Sequence, residues 1–176
     1  MKNEQAGARR WAALAITALV IAGDRISKAA IQHSMNAFDS VSVIAGWLRI
    51  VHTENPGAAF GVLAEGNPML RSAVLIGVSS AVLVFVAWAL WGRSGAGAGP
   101  LTRVALALIL GGAVGNLYDR VLYGAVTDFI EVYHGAWSFP AFNVADSAIT
   151  VGAALLMFDL LRGKRKPEPQ AAFARK

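Results

Sequence analysis

Cysteine is absent from the 176 residues. That excludes disulfide staples, thiolate nucleophiles, iron-sulfur clusters and Cys-rich zinc sites, and it removes the usual clue to redox compartment. Histidine is scarce: the three, at 33, 52 and 134, are too scattered to suggest a metal centre. Neither a metal nor an organic cofactor is implied. Charge is scarce as well, at 15% of residues against about 25% in soluble domains. The net charge of +5 does not point to nucleic acid, because the basic residues are divided between hydrophobic runs instead of gathered on one face. What is abundant is apolar side chain, 56% of the residues, with a mean hydropathy of +0.51.

A bilayer crossing needs about 20 mostly apolar residues. Ser72 to Trp91 meets this without a charge, and Ala141 to Leu161 meets it with Asp146 near its start and Asp159 near its end. Val104 to Tyr118 is shorter and runs into Asp119 and Arg120. Trp11 to Gly23 must continue past Asp24, Arg25 and Lys28 to span; in a helix Asp24 and Lys28 then stand at i and i+4 and can pair. The alternative, a cleaved signal peptide, lacks a small-x-small cleavage site before a plausible mature start. The expected fold is an all-α polytopic membrane protein, a single domain over 1–176, with four transmembrane helices over about 11–31, 70–91, 101–120 and 140–161.

Eleven of the sixteen basic residues fall in the N-terminal segment, the connection between spans two and three, and the tail 162–176, which places both termini in the cytoplasm. Gly92 to Pro100 reads as a flexible cytoplasmic loop, and the basic tail as a disordered segment near anionic headgroups. On the other face the loop over about 32–70 is long. Within it Val41 to Ile44 and Trp47 to His52 are rich in β-branched and aromatic residues, so a small extracytoplasmic β-element is expected between helices one and two, lying on the membrane surface. The five tryptophans lie close to span ends or in this loop, as in an aromatic belt, with the histidines as interface or surface residues.

Charges inside a membrane are costly and call for partners or a function. Here an up-and-down topology brings Asp24, Lys28, Asn116, Asp119, Arg120, Asn143 and Asp146 to the outer face, with Asp128 just before span four. Asp24 with Lys28 and Asp119 with Arg120 read as ion pairs that neutralise one another. Asp128 and Asp146 have no basic neighbour in sequence. Two carboxylates brought to one site share a proton, as an aspartic protease requires: one takes a proton from the attacking water while the other donates to the oxyanion. A proton-coupled transporter would use such a pair equally, although transporters bind at the midplane and these acids lie at one face. An assembly factor docking through the outer sheet is a third reading, and it gives no reason for carboxylates in apolar surroundings.

The local sequences are more specific. DRISK (Asp24 to Lys28), ENPGAAFG (Glu54 to Gly61), GNLYDR (Gly115 to Arg120), VTDFI (Val126 to Ile130) and FNVADSAI (Phe142 to Ile149) closely resemble, in order, the motifs of the lipoprotein signal peptidase (signal peptidase II) family. The resemblance implies a bacterial inner-membrane aspartic endopeptidase, active near the extracytoplasmic face, that removes the signal peptide from prolipoproteins just before a diacylglyceryl-modified cysteine. Its partners would be lipid-modified prolipoproteins and membrane lipids, and no nucleic acid. By motif position Asp128 and Asp146 are the catalytic dyad, and Asp24, Lys28, Asn55, Gly57, Asn116, Asp119, Arg120 and Asn143 are supporting or substrate-binding residues. Tyr118 and Thr127 stand where aliphatic residues are expected. The small residues after Asn55 suggest a lid over the bound peptide. Gly111, Gly112 and Gly115 suit close helix packing, taken here as packing within a monomer.

Overall fold

The computed structural model describes residues 2–57, 67–92 and 98–162. In chain order these form α1 (Lys2–Ser34), β1 (Ser40–Ile44), β2 (Leu48–Asn55), α2 (Pro68–Trp91), α3 (Pro100–Tyr123), β3 (Val126–His134), β4 (Trp137–Ser138) and α4 (Val144–Arg162). The proposed lid residues at 58–61, the glycine-rich connection at 93–97 and the basic tail at 163–176 lie outside the described residues.

Among the described residues, three helices, α2, α3 and α4, are long and apolar enough to cross a membrane. Their ends follow local chemistry. Asn67 caps α2 by accepting from the backbone N–H groups of Met69 (2.9 Å) and Leu70 (3.3 Å), with Pro68 in the first turn, where a missing N–H costs nothing. Gly124 ends α3 at φ 74°, a left-handed cap that glycine adopts without strain, and its N–H returns to the Arg120 carbonyl.

α3 is the central helix and packs against α1, α2 and α4; α1 also touches α4. The apolar core at the end of the bundle remote from the outer charges joins Ala13 of α1, Val86 and Leu90 of α2, and Leu106, Ala107 and Leu110 of α3. Thr17 adds an interhelical hydrogen bond to the Ala107 carbonyl (3.1 Å). The glycines of α3 permit the approach: a Cβ at Gly111 would stand 2.7 Å from Val20, and one at Gly115 would stand 2.6 Å from the Asp24 carboxylate. Val78, Val82 and Phe85 of α2 and Val151, Phe158 and Leu161 of α4 remain exposed, as helix faces turned to lipid would be.

The sheet differs from expectation. The strands before and after Gly46 form, but they are half of a four-stranded antiparallel sheet ordered β1-β2-β3-β4, whose other half comes from between α3 and α4. The segment VTDFI, read from sequence as a connection, opens β3 and pairs with β2 through Glu54–Thr127 and Asn55–Val126. Its β-branched and aromatic residues suit a pleated surface, and the sheet partner lies some 70 residues away in sequence, beyond the reach of local pattern. The last helix starts at Val144 instead of Pro140, because Phe142 is held extended in a bridge to Ile130. Asp146 is therefore the third residue of α4.

Candidate active site

Asn143 precedes the first residue of α4 and closes its N-terminus reciprocally with Asp146. Its side-chain oxygen accepts the Asp146 N–H (2.9 Å), while its own N–H reaches the Asp146 carboxylate (3.3 Å). This is the logic of a capping box, and it fixes the carboxylate at the positive end of a helix. The Phe142 N–H and carbonyl are both bonded to Ile130, and Phe129 also donates to the Phe142 carbonyl (3.0 Å). The start of α4 and the strand carrying Asp128 are thus tied together within two residues of Asp128 and four of Asp146.

Asn143 Nδ2 then crosses to Asp128 Oδ1 (2.7 Å), so one residue meets both carboxylates, Asp128 through its side chain and Asp146 through its backbone N–H. Asn55, at the end of β2, donates to Asp128 Oδ2 (3.1 Å), and Asn116 of α3 donates to Asp146 Oδ1 (2.7 Å). Between Ile50 and Thr53 β2 carries one extra residue relative to β3, a bulge of the sort that re-aims side chains near sites. Asp128 is buried, and among the described residues the amides of Asn55 and Asn143 donate to its carboxylate. Its carboxyl is pushed up to about 7, by burial first and then by the charge of Asp146.

Below the two acids lies an ionic cluster. Lys28, fully buried, places its ammonium 2.8 Å from Asp24, 2.7 Å from Asp119 and 3.1 Å from the Asn116 side-chain oxygen. Asp24 Oδ1 accepts the Ala145 N–H (3.0 Å), a first-turn donor of α4 that would otherwise have no partner within its helix. The expected Asp24–Lys28 pair is present. The expected Asp119–Arg120 pair is not: Asp119 turns to Lys28 and to Arg25, whose guanidinium also lies 4.5 Å from the Tyr118 ring centroid. Neighbours on a helix point about 100° apart, so adjacent opposite charges face different partners. Arg120 instead donates to the carbonyls of Gly57 (3.2 Å) and Asn116 (3.3 Å), while Gly57 N–H is held by Asn55 Oδ1 (2.9 Å) in an Asx turn.

Among the described residues, every one read from sequence as catalytic or supporting is in this region. Asn55, Asn116, Arg120, Asp128 and Asp146 line one cavity of about 880 Å³, with Asn143, Asp24, Lys28 and Asp119 packed behind it. The cavity runs from the sheet onto apolar Val78, Val82 and Ile149. Sequence reasoning missed Arg25 as the second partner of Asp119, and it missed Gln32 and Glu54, which meet the Thr127 hydroxyl. Arg25 and Glu54 were detectable, lying within DRISK and ENPGAAFG; Gln32 depends on the packing of α1 against β3.

The family model described as Signal peptidase (SPase) II matches residues 16–162. A lipoprotein signal peptidase of Solibacter usitatus is 42% identical over 160 residues, 89% of this chain and 94% of the relative. One from Pseudomonas syringae pv. tomato is 41% identical over 171 residues, 96% and 95% of the two chains. A bacterial membrane enzyme solved by the in meso method superposes with a TM-score of 0.78 at 31% identity, covering 90% of this chain and 94% of that one.

Proposed function

The chain belongs to the signal peptidase II family and is an aspartic-type peptidase of lipoprotein maturation, and from that premise we propose that Asp128 and Asp146 are its catalytic dyad, cutting the signal peptide of a diacylglyceryl-modified prolipoprotein just before the lipidated cysteine. The observation that carries the reading is the contact of Asn143 with both carboxylates on the wall of one cavity, by its side chain to Asp128 and its backbone N–H to Asp146. At neutral pH the pair shares a proton. Burial raises the Asp128 carboxyl to about 7, which suits it to hold that proton, while Asn116 donates a hydrogen bond to Asp146.

In this mechanism Asp146 takes a proton from water as the water oxygen attacks the scissile carbonyl. Asp128 gives its proton to the developing oxyanion, and collapse of the tetrahedral intermediate expels the amine of the cysteine, which receives the proton held by Asp146. Asn55 and Asn143 orient Asp128, and Asn116 orients Asp146. The apolar wall of Val78, Val82 and Ile149 receives the membrane-borne part of the substrate, whose binding energy is spent on alignment.

We read α1 as the fourth span, since of the charges that interrupt its apolar run Asp24 and Lys28 are fully buried against one another and Arg25 is paired with Asp119. With four spans, the distribution of basic segments supports both termini in the cytoplasm of a bacterium and the dyad near the outer face of its inner membrane. The enzyme acts as a monomer, because the glycines of α3 are used for packing within the chain. The test is incubation of purified protein in detergent with a prolipoprotein in its diacylglyceryl-modified and unmodified forms. Cleavage of the modified form alone, with product mass placing the cut before cysteine, is expected. Equal cleavage of both forms would remove the lipid from the account.

A further inference from the structure

Thr127 is the residue of the VTDFI segment that departs from the aliphatic pattern, and it is almost completely buried. It precedes Asp128, and strand alternation sends its side chain to the opposite face of β3, away from the cavity. There its hydroxyl is fully used. It donates to Glu54 Oε1 (2.9 Å) on the paired strand and accepts from Gln32 Nε2 (2.7 Å) near the end of α1. Glu54 is in turn anchored by His52 (3.2 Å), whose other ring nitrogen meets the Met35 carbonyl (2.9 Å) just beyond α1. On the cavity side, the Thr127 carbonyl faces Asn143 Nδ2 at 3.4 Å.

One hydroxyl thus links three separate pieces: the end of the first helix, the strand ending in Asn55, and the strand bearing Asp128. An aliphatic residue of the same shape would fill the volume and make none of these links. We propose that Gln32, Thr127 and Glu54 form a polar brace that sets the height of β3 against α1 and β2, and that Thr127 is thereby a positioning residue for hydrolysis in this chain. The inference rests on the reading of Asp128 as half of the dyad. Glu54 reaches the edge of the cavity while Gln32 and Thr127 lie off it, so Thr127 acts through Asp128 and through Asn55, the residue after Glu54, which donates to that carboxylate. A displacement well under 1 Å at Asp128 is enough to matter, since misplacement by about 1 Å costs on the order of 100-fold in rate.

The experiment compares Thr127→Val, Thr127→Ser, Gln32→Leu, the double variant Gln32→Leu/Thr127→Val and Asp128→Asn, each in detergent with the diacylglyceryl-modified prolipoprotein. Valine suits the strand and keeps the shape, and Gln32 is exposed, so both single variants are expected to fold. Thr127→Val should lower kcat about tenfold with KM unchanged within about twofold, by analogy with such misplacement. Thr127→Ser should recover most of the loss. The double variant should be no slower than Thr127→Val, because both changes remove the same link. Wild-type kcat in Thr127→Val, a loss that serine does not rescue, or multiplicative losses in the double variant would each overturn the brace while Asp128→Asn stays inactive. Turnover by Asp128→Asn would overturn the dyad, and the brace with it.

Discussion

Asn143 shows how one amide can organise a two-carboxylate site. It caps α4, orients Asp146 and reaches Asp128, so truncation should injure stability and catalysis separately. Asn143→Ala is expected to cost about 1 kcal/mol as a lost cap, visible as a lowered unfolding temperature, and at least about 100-fold in kcat through misplacement of both acids. A variant that loses stability but keeps kcat would leave Asn143 a cap and nothing more. Asp128 makes a prediction in pH. Its carboxyl is raised from 3.8 to about 7, so the folded chain holds a proton there that the unfolded chain releases. The stabilising contribution is complete below about pH 4 and is lost as pH rises through about 7. Unfolding temperature should therefore decline between about pH 4 and 7, and decline less in Asp128→Asn, which cannot titrate; equal slopes in the two proteins would contradict the shift. At this scale the sequence was informative about identity and poor about partners. Asp128 and Asp146 stand out by lacking basic neighbours, whereas the choice of Asp119 for Lys28 and Arg25 over adjacent Arg120 follows from helix phase and from α1 lying against α3.

Among the elements, α3 decides whether the site closes. Gly115 lets the Asp24 carboxylate lie against the helix backbone; Gly115→Ala would bring a methyl group 2.6 Å from Asp24 Oδ2, closer than atoms pack, in the place where Asp24 meets Lys28 and the first turn of α4. Loss of about 1–3 kcal/mol is expected from such overpacking, measured as a lower unfolding temperature in detergent. Gly77→Ala on α2, where a Cβ meets nothing within 4 Å, should be neutral and serves as the control. Equal behaviour of the two variants would contradict the tight packing of α1 on α3. The apolar helices were legible because length and hydropathy are local properties. The hairpin on either side of Gly46 was legible for the same reason. The strand holding Asp128 was not, since its pairing with β2 and the bridge from Phe142 to Ile130 are non-local, and they are also what moves the start of α4 from Pro140 to Val144.

For the molecule as a whole, the arrangement reconciles two demands. The bundle keeps lipid-facing surface apolar, and it sets Asp24, Lys28 and Asp119 where helix ends, sheet and cavity meet, with partners supplied by other elements. The sheet is part of that site, because β2 and β3 bring Asn55 and Asp128 against the helix that brings Asp146. The central claim is that these two carboxylates form one hydrolytic pair. It is tested most directly by the rates at which Asp128→Asn and Asp146→Asn, inserted in membranes at wild-type level, release signal peptide from a diacylglyceryl-modified prolipoprotein. The account predicts no cleavage above background for either, since an amide keeps the shape but cannot exchange the proton; measurable turnover by either variant would contradict it.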